Sequence, residues 1–145
     1  MKIALGCDHG GLDMKNALID HLKKRGIQTE DYGCYTDESV DYPVYGHKVA
    51  RAVAGGEADL GIVCCGTGIG IAMAANKVKG IRCALPYSDF TAKMSKQHNN
   101  ANMVAFGGRS LTTEQAIRFT DIWLDTKYEG GRHQRRLDMI DKTDE

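Results

Sequence analysis

The stretch from Leu60 to Lys77, LGIVCCGTGIGIAMAANK, ends an apolar run in two cysteines, breaks into glycines at 66, 68 and 70, and resumes as an Ala- and Met-rich segment of helical character. Glycines let a backbone come close to a ligand, and the first N–H groups of the following helix, with the positive end of its dipole, favour an anion. The turn is therefore expected to hold negative charge. Cys65 stands at its lip, where the same amides and dipole favour a thiolate. A thiolate beside an anion hole suits enolisation. The sulfur removes a proton from carbon next to a carbonyl, and the amides stabilise the oxyanion that develops. Thr67, on the same turn, is placed to relay a proton between neighbouring oxygens.

Other anion-binding loops do not fit these residues. A dinucleotide fingerprint begun at Gly66 needs Gly or Ala where Ile71 stands, and begun at Gly68 it needs one where Met73 stands. The Gly-Lys-Ser/Thr of a Walker loop is absent, and a Cys-x5-Arg phosphatase loop finds Gly70 and Ile71 in place of arginine.

Three further clusters carry polar chemistry. CDHGG, Cys7 to Gly11, puts Asp8 and His9 directly after an apolar run, as sugar or phosphate contacts or, for Asp8, as a helix cap. HNNANMVAF puts His98 and Asn99 just before another such run. GGRHQRR sets Arg132 and Arg136 four residues apart on one helix face, where two guanidinium forks can grip a phosphate, and Arg109 in FGGRS is a further candidate.

The elements that must position these groups alternate in kind: KIALG then Leu12 to Arg25, IQTEDYG then Tyr42 to Ala54, DLGIVC then Ile69 to Asn76, IRCAL then Ser88 to Gln97, NMVAFG then Thr112 to Asp125. Strand followed by helix, repeated, predicts an α/β three-layer sandwich with a five-stranded parallel sheet, Rossmann-like in build. Gly26 stands where a helix-ending glycine belongs, Ser88 and Thr112 are placed to cap helices, and Leu12, Ala17, Leu18, Ile19 and Leu22 form an apolar stripe. The chain reads as a single domain over 1–145, with a core of 1–126 and a C-terminal arm of 127–145. The arm is a short charged helix after Gly130-Gly131 with few apolar residues, a segment that either frays or lies on another surface.

In such sheets ligands sit beyond the carboxyl ends of the strands, where the glycine turn and Asp8-His9 fall. His98 precedes its strand, so it belongs to the opposite edge, ~17 Å away for a five-residue strand at ~3.3 Å per residue. If Cys65 and His98 serve one reaction, the site has to be assembled between two subunits, which predicts a homodimer with equivalent sites across a two-fold axis. The arm is then expected to pack on the dimer partner and close over its site.

Lys+Arg and Asp+Glu both number 19, so overall charge points to no nucleic acid, membrane surface or polyanion. No apolar run approaches the ~18–20 residues of a membrane span, and the apolar run at the start is too short for a signal-peptide core, so a cytoplasmic protein is expected. The cysteines, 5 in number and without a CxxC pair, suggest neither a disulfide framework nor a zinc site and read as reduced thiols.

GCDHGG, DYP at 41–43, GIVCCGTGIGIAMAANK, HNNANMVAFGGR and GGRHQRR together resemble the type B ribose-5-phosphate isomerases, grouped with the galactose-6-phosphate isomerase subunits, over essentially the whole chain. The resemblance implies interconversion of ribose 5-phosphate and ribulose 5-phosphate, a step of pentose phosphate metabolism, through an enediolate and with no metal or other cofactor. It implies Cys65 as the base that moves the proton between C1 and C2, with Gly66, Thr67, Gly68 and Gly70 as the anion hole. Thr67 matches a hydroxyl assisting proton movement at the oxygens; His98, with Asp8 nearby, matches the group that opens the furanose ring. Asn99 matches a sugar contact, and His9, Tyr42, Arg109, Arg132 and Arg136 match residues around the phosphate and sugar. Some members place a glutamate shortly after the glycine turn, but IAMAANK offers no carboxylate to compete with Cys65. The family also implies a homodimer, or a dimer of dimers, with shared sites. The alternatives are isomerisation of a six-carbon sugar phosphate, allose 6-phosphate or galactose 6-phosphate, or a non-catalytic sugar-phosphate-binding module. A metal isomerase is disfavoured because no dense Asp/Glu/His ligand set stands at helical or strand spacing.

Overall fold

Alternate residues of each long strand face opposite ways, and this decides how the chain layers itself. The computed structural model describes residues 1–142. Its strands are β1 (Lys2–Cys7), β2 (Gln28–Asp31), β3 (Leu60–Cys65), β4 (Cys83–Ala84) and β5 (Met103–Gly107). Its helices are α1 (Leu12–Lys24), α2 (Tyr42–Ala54), α3 (Ile69–Asn76), α4 (Asp89–Gln97), α5 (Thr113–Asp125) and α6 (Arg132–Asp141). The strands form one parallel sheet in the order β2-β1-β3-β5-β4. Ile3, Leu5, Cys7, Ile62, Cys64, Val104 and Phe106 point to one face and pack with Leu18, Leu22, Phe119 and Trp123 of α1 and α5. Ala4, Val63, Cys65, Met103 and Ala105 point to the other and pack with Val49, Val53, Ile71 and Ala75 of α2 and α3. This is the expected three-layer α/β sandwich, and among the described residues no helix is long and apolar enough to cross a membrane.

Local chemistry sets the element ends. Ser88 and Thr112 each cap their helices with a reciprocal capping box, to Thr91 and Gln115 respectively. Gly26 takes φ +75° just past α1, as a helix-ending glycine must. β4 is shorter than IRCAL suggests. Arg82 N donates to the Asn102 side chain, Pro86 follows, and only Cys83 and Ala84 pair with β5 at the edge of the sheet.

Because α1 leaves β1 for one face and α3 leaves β3 for the other, the chain diverges above the paired carboxyl ends of β1 and β3. Such a switch point opens a crevice between the two turns. One wall of this crevice is tied down by an unexpected group. Lys15 of α1 is fully buried; its ammonium donates to Asp31 Oδ1 at 2.8 Å and to the Cys34 carbonyl at 2.6 Å, holding the segment after β2 against β1. Lys15→Met keeps most of the volume but deprives the Cys34 carbonyl of a charged donor, and should destabilise the protein by about 1–3 kcal/mol. Urea unfolding checks this, and an unchanged midpoint would contradict the role.

Candidate active site

The turn after β3 is built around one sulfur. Cys65 is 4% exposed, and its Sγ accepts the Gly68 N–H at 3.1 Å. Gly68 is the N-cap of α3 at φ +80°, and a Cβ there would lie 2.8 Å from the Phe106 carbonyl carbon, so neither the conformation nor the space admits a side chain. The Ile69 N–H goes to Thr67 Oγ1 at 3.2 Å, while the N–H groups of the next residues of α3 have no helical carbonyl to reach and face the turn. Thr67 is exposed. Sulfur, hydroxyl and helix amides therefore share one small concavity.

Burial governs three of the other thiols. Burial pushes the Cys7 thiol up to about 12 and Cys64 well above its ordinary value, and burial of the Cys83 thiol pushes it to about 12 as well. Strand alternation is the cause for Cys64, which points into the α1/α5 layer while Cys65 points toward α3.

Three turns at this edge are bonded to one another. Asp8 N donates to the Cys64 carbonyl at 3.1 Å, Gly108 N to Cys65 O at 2.8 Å, and Arg109 N to Gly66 O at 2.9 Å. The buried Asp8 spends Oδ1 on the Gly10 N–H at 2.8 Å, capping the short 3-10 turn His9–Gly11 rather than α1. Half-buried His9 accepts the Val40 N–H at Nδ1, 3.2 Å, so Nε2 carries the proton of the neutral ring. Arg109 lies over Gly66, where a Cβ would sit 3.4 Å from its Nη1, and the Tyr42 phenol lies so close over Gly70 that a Cβ would meet its hydroxyl at 2.9 Å. Asp8, His9, Tyr42, Cys65, Gly66, Thr67, Gly68, Gly70 and Arg109 thus gather at the carboxyl edge of the sheet.

His98, Asn99, Arg132 and Arg136 do not join them. His98 is the C-cap of α4, which runs back to the amino edge of the sheet, and Asn99 follows it. Here α6 lies on its own chain. His133 and Leu137 are buried, Arg82 pairs with Asp141 at 3.3 Å, and the His133 ring stacks on His98 with centroids 4.2 Å apart at an interplanar angle of 18°. Arg132 and Arg136 are exposed beside this stack, joined by Arg136 Nη1 donating to the Arg132 carbonyl at 3.2 Å. Asp8 and His98 lie at opposite edges within the chain, as the strand directions require. The residues not anticipated are His133 and Glu129. Glu129 takes the Gln97 amide at 2.8 Å, which together with the nearby His133 holds its carboxyl below the usual range. Their four-residue spacing was the available signal.

Comparison with known proteins adds a consistent result. Residues 3–140 match the family model described as Ribose/Galactose Isomerase. The chain is 49% identical over 139 residues to ribose-5-phosphate isomerase B of Escherichia coli K12, covering 96% of this chain and 93% of that protein. The solved ribose-5-phosphate isomerase B of Clostridium thermocellum superposes with TM-score 0.96 at 50% identity, covering 97% of this chain and 95% of that one. That of Mycoplasma genitalium with bound ribulose-5-phosphate gives TM-score 0.92 at 43% identity, covering 97% and 93%.

The environments of the sulfurs predict their reactivity. Iodoacetamide at neutral pH should alkylate Cys65 ahead of Cys7, Cys64 and Cys83, because thiols held neutral by burial react slowly. Peptide mapping by mass spectrometry reads the order, and faster labelling of Cys64 would refute the assignment.

Proposed function

The chain belongs to the ribose/galactose isomerase family, and we propose that its turn after β3 does the chemistry of that family, with Cys65 as the base. The protein is an aldose–ketose isomerase that interconverts ribose 5-phosphate and ribulose 5-phosphate. The observation that carries the mechanism is the Cys65 sulfur receiving the Gly68 amide at the mouth of α3, 3.1 Å away.

In the aldose-to-ketose direction, Cys65 takes the proton from C2 and the electron pair moves onto the carbonyl at C1. The enediolate oxygens lie against the amides of Gly66, Thr67, Gly68 and Gly70, which stabilise negative charge that did not exist in the substrate. Thr67 passes the hydroxyl proton from O2 to O1, and Cys65 returns its proton to C1. Before this the furanose must open, and His98, assisted by Asp8, moves the proton from the anomeric hydroxyl to the ring oxygen. Arg132 and Arg136 hold the phosphate, with His9, Tyr42, Arg109 and Asn99 around the sugar and phosphate. None of these steps uses a metal, so activity should persist after EDTA treatment.

Such a division of labour requires two chains. The sulfur and glycine turn stand at one sheet edge, and His98 with its arginines at the other, a strand's length of ~17 Å away. We therefore place the carboxyl-edge cluster of one subunit against the amino-edge cluster of its partner in a homodimer, with the core 1–126 supplying the sheet and the arm 127–142 facing the shared site. The chain's cysteines, all free, suit a reducing compartment, and a cytoplasmic location belongs to the same proposal.

Cys65→Ala should keep sugar-phosphate binding and lose turnover by ~10²-fold or more. Retained turnover would take the base's role away from Cys65, and sugar-phosphate binding without turnover in the unmodified protein would make it a binding module. Equimolar subunit exchange between inactive Cys65→Ala and inactive His98→Ala chains should restore about a quarter of the wild-type rate, half the dimers being mixed and each having one of two sites intact. No recovery would show that the two residues do not meet across an interface. The family's double name, Ribose/Galactose, keeps the six-carbon reading in play. Ribose 5-phosphate should be turned over faster than allose 6-phosphate or galactose 6-phosphate in side-by-side assay, and the reverse order would reassign the substrate.

A further inference from the structure

We propose that His98, His133 and Glu129 form a site for a zinc-class divalent cation, and that filling it silences the enzyme by taking up His98. One ligand atom from each of these residues lies within 4.8 Å of the other two. The rings of His98 and His133 are stacked 4.2 Å apart and 18° from parallel, so their in-plane lone pairs run side by side, and a shared cation requires the half-buried His98 ring to turn out of the stack. His133 is 9% exposed, and its Nε2 is buried without a hydrogen-bond partner among the described residues. The Glu129 carboxylate oxygen is 3.7 Å from that nitrogen, too far for a hydrogen bond and close enough to share a cation with it.

The donor set selects the ion. Neutral imidazole nitrogens with a single carboxylate suit zinc, nickel or copper, whereas magnesium and calcium demand more oxygen ligands. Tetrahedral zinc with bonds of about 2.0–2.2 Å sets its donors ~3.3 Å apart, so filling the site turns the His98 ring toward His133 Nε2 and draws the Glu129 carboxylate in. Glu129 is exposed on the loop before α6 and can supply that movement. Three protein ligands leave the fourth position open, as in accessible zinc sites. Arg132 and Arg136 oppose a cation only weakly, since both are exposed and screened by solvent. The site thus differs from a resident cofactor. It competes with the free imidazole that ring opening uses.

The cation site is argued from the ligand cluster and the unpartnered His133 Nε2, while inhibition rests on the role proposed for His98. Zinc chloride titrated calorimetrically into EDTA-stripped, reduced protein in phosphate-free buffer should reveal a site whose affinity drops about tenfold or more in Glu129→Gln and in His133→Gln. Glu129 is exposed, so its variant is expected to fold, which circular dichroism verifies. Zinc should depress wild-type turnover over the same concentration range, EDTA should restore it, and Glu129→Gln should need correspondingly more zinc. No zinc uptake, or uptake unchanged in the folded Glu129→Gln protein, overturns the site and leaves the isomerase reading standing. Uptake that leaves turnover intact overturns the inhibition, and with it the role given to His98.

Discussion

Five strands that all run the same way send every strand-to-helix turn to one edge of the sheet and every helix-to-strand turn to the other. The candidate site residues of this chain are arranged by that constraint. The glycine turn, Asp8, His9 and Arg109 share the first edge, and His98 with the arginines of α6 shares the second. No side chain is long enough to bridge a strand, so the two halves meet only if another copy of the chain brings them together.

Within the carboxyl-edge half, backbone holds the turns together. The turns after β1, β3 and β5 are hydrogen-bonded to one another, so the amides of the Gly66–Gly70 segment are held in place before any ligand arrives. Preorganised donors of this kind act without reorientation when charge develops, which is why they contribute more than equally strong groups on mobile side chains. Gly68 is central because its N–H reaches the sulfur only in a left-handed conformation, pressed against the Phe106 backbone.

Much of this was legible from residue types and spacing. Period-two apolar runs followed by helical stripes determine the sandwich, and Gly26, Ser88 and Thr112 mark helix ends through chemistry that is local to the chain. The separation of His98 from Cys65 followed from strand direction alone. What could not be read depends on partners far away in sequence. Lys15 looks like a solvated charge on a helix until Asp31 and the Cys34 carbonyl surround it. The arm is expected on a partner's surface, and its docking within the chain shows only once His133 and Leu137, four residues apart, are buried and the His133 ring stacks on His98. The shortness of β4 is likewise set by the Asn102 side chain, which captures the backbone of Arg82.

The alternation of β3 has a bearing on how the protein meets oxidants. Cys64 and Cys65 are neighbours in sequence but point into different layers, so they cannot close on each other as a vicinal disulfide while the strand is intact. A peroxide that reaches Cys65 leaves it as a sulfenic acid with no adjacent thiol to condense with, a state that a small cellular thiol reverses. With no resolving thiol beside it, the same sulfenic acid is open to further oxidation to the irreversible sulfinic acid, so the fate of this turn under peroxide depends on which reaction reaches the buried sulfur first.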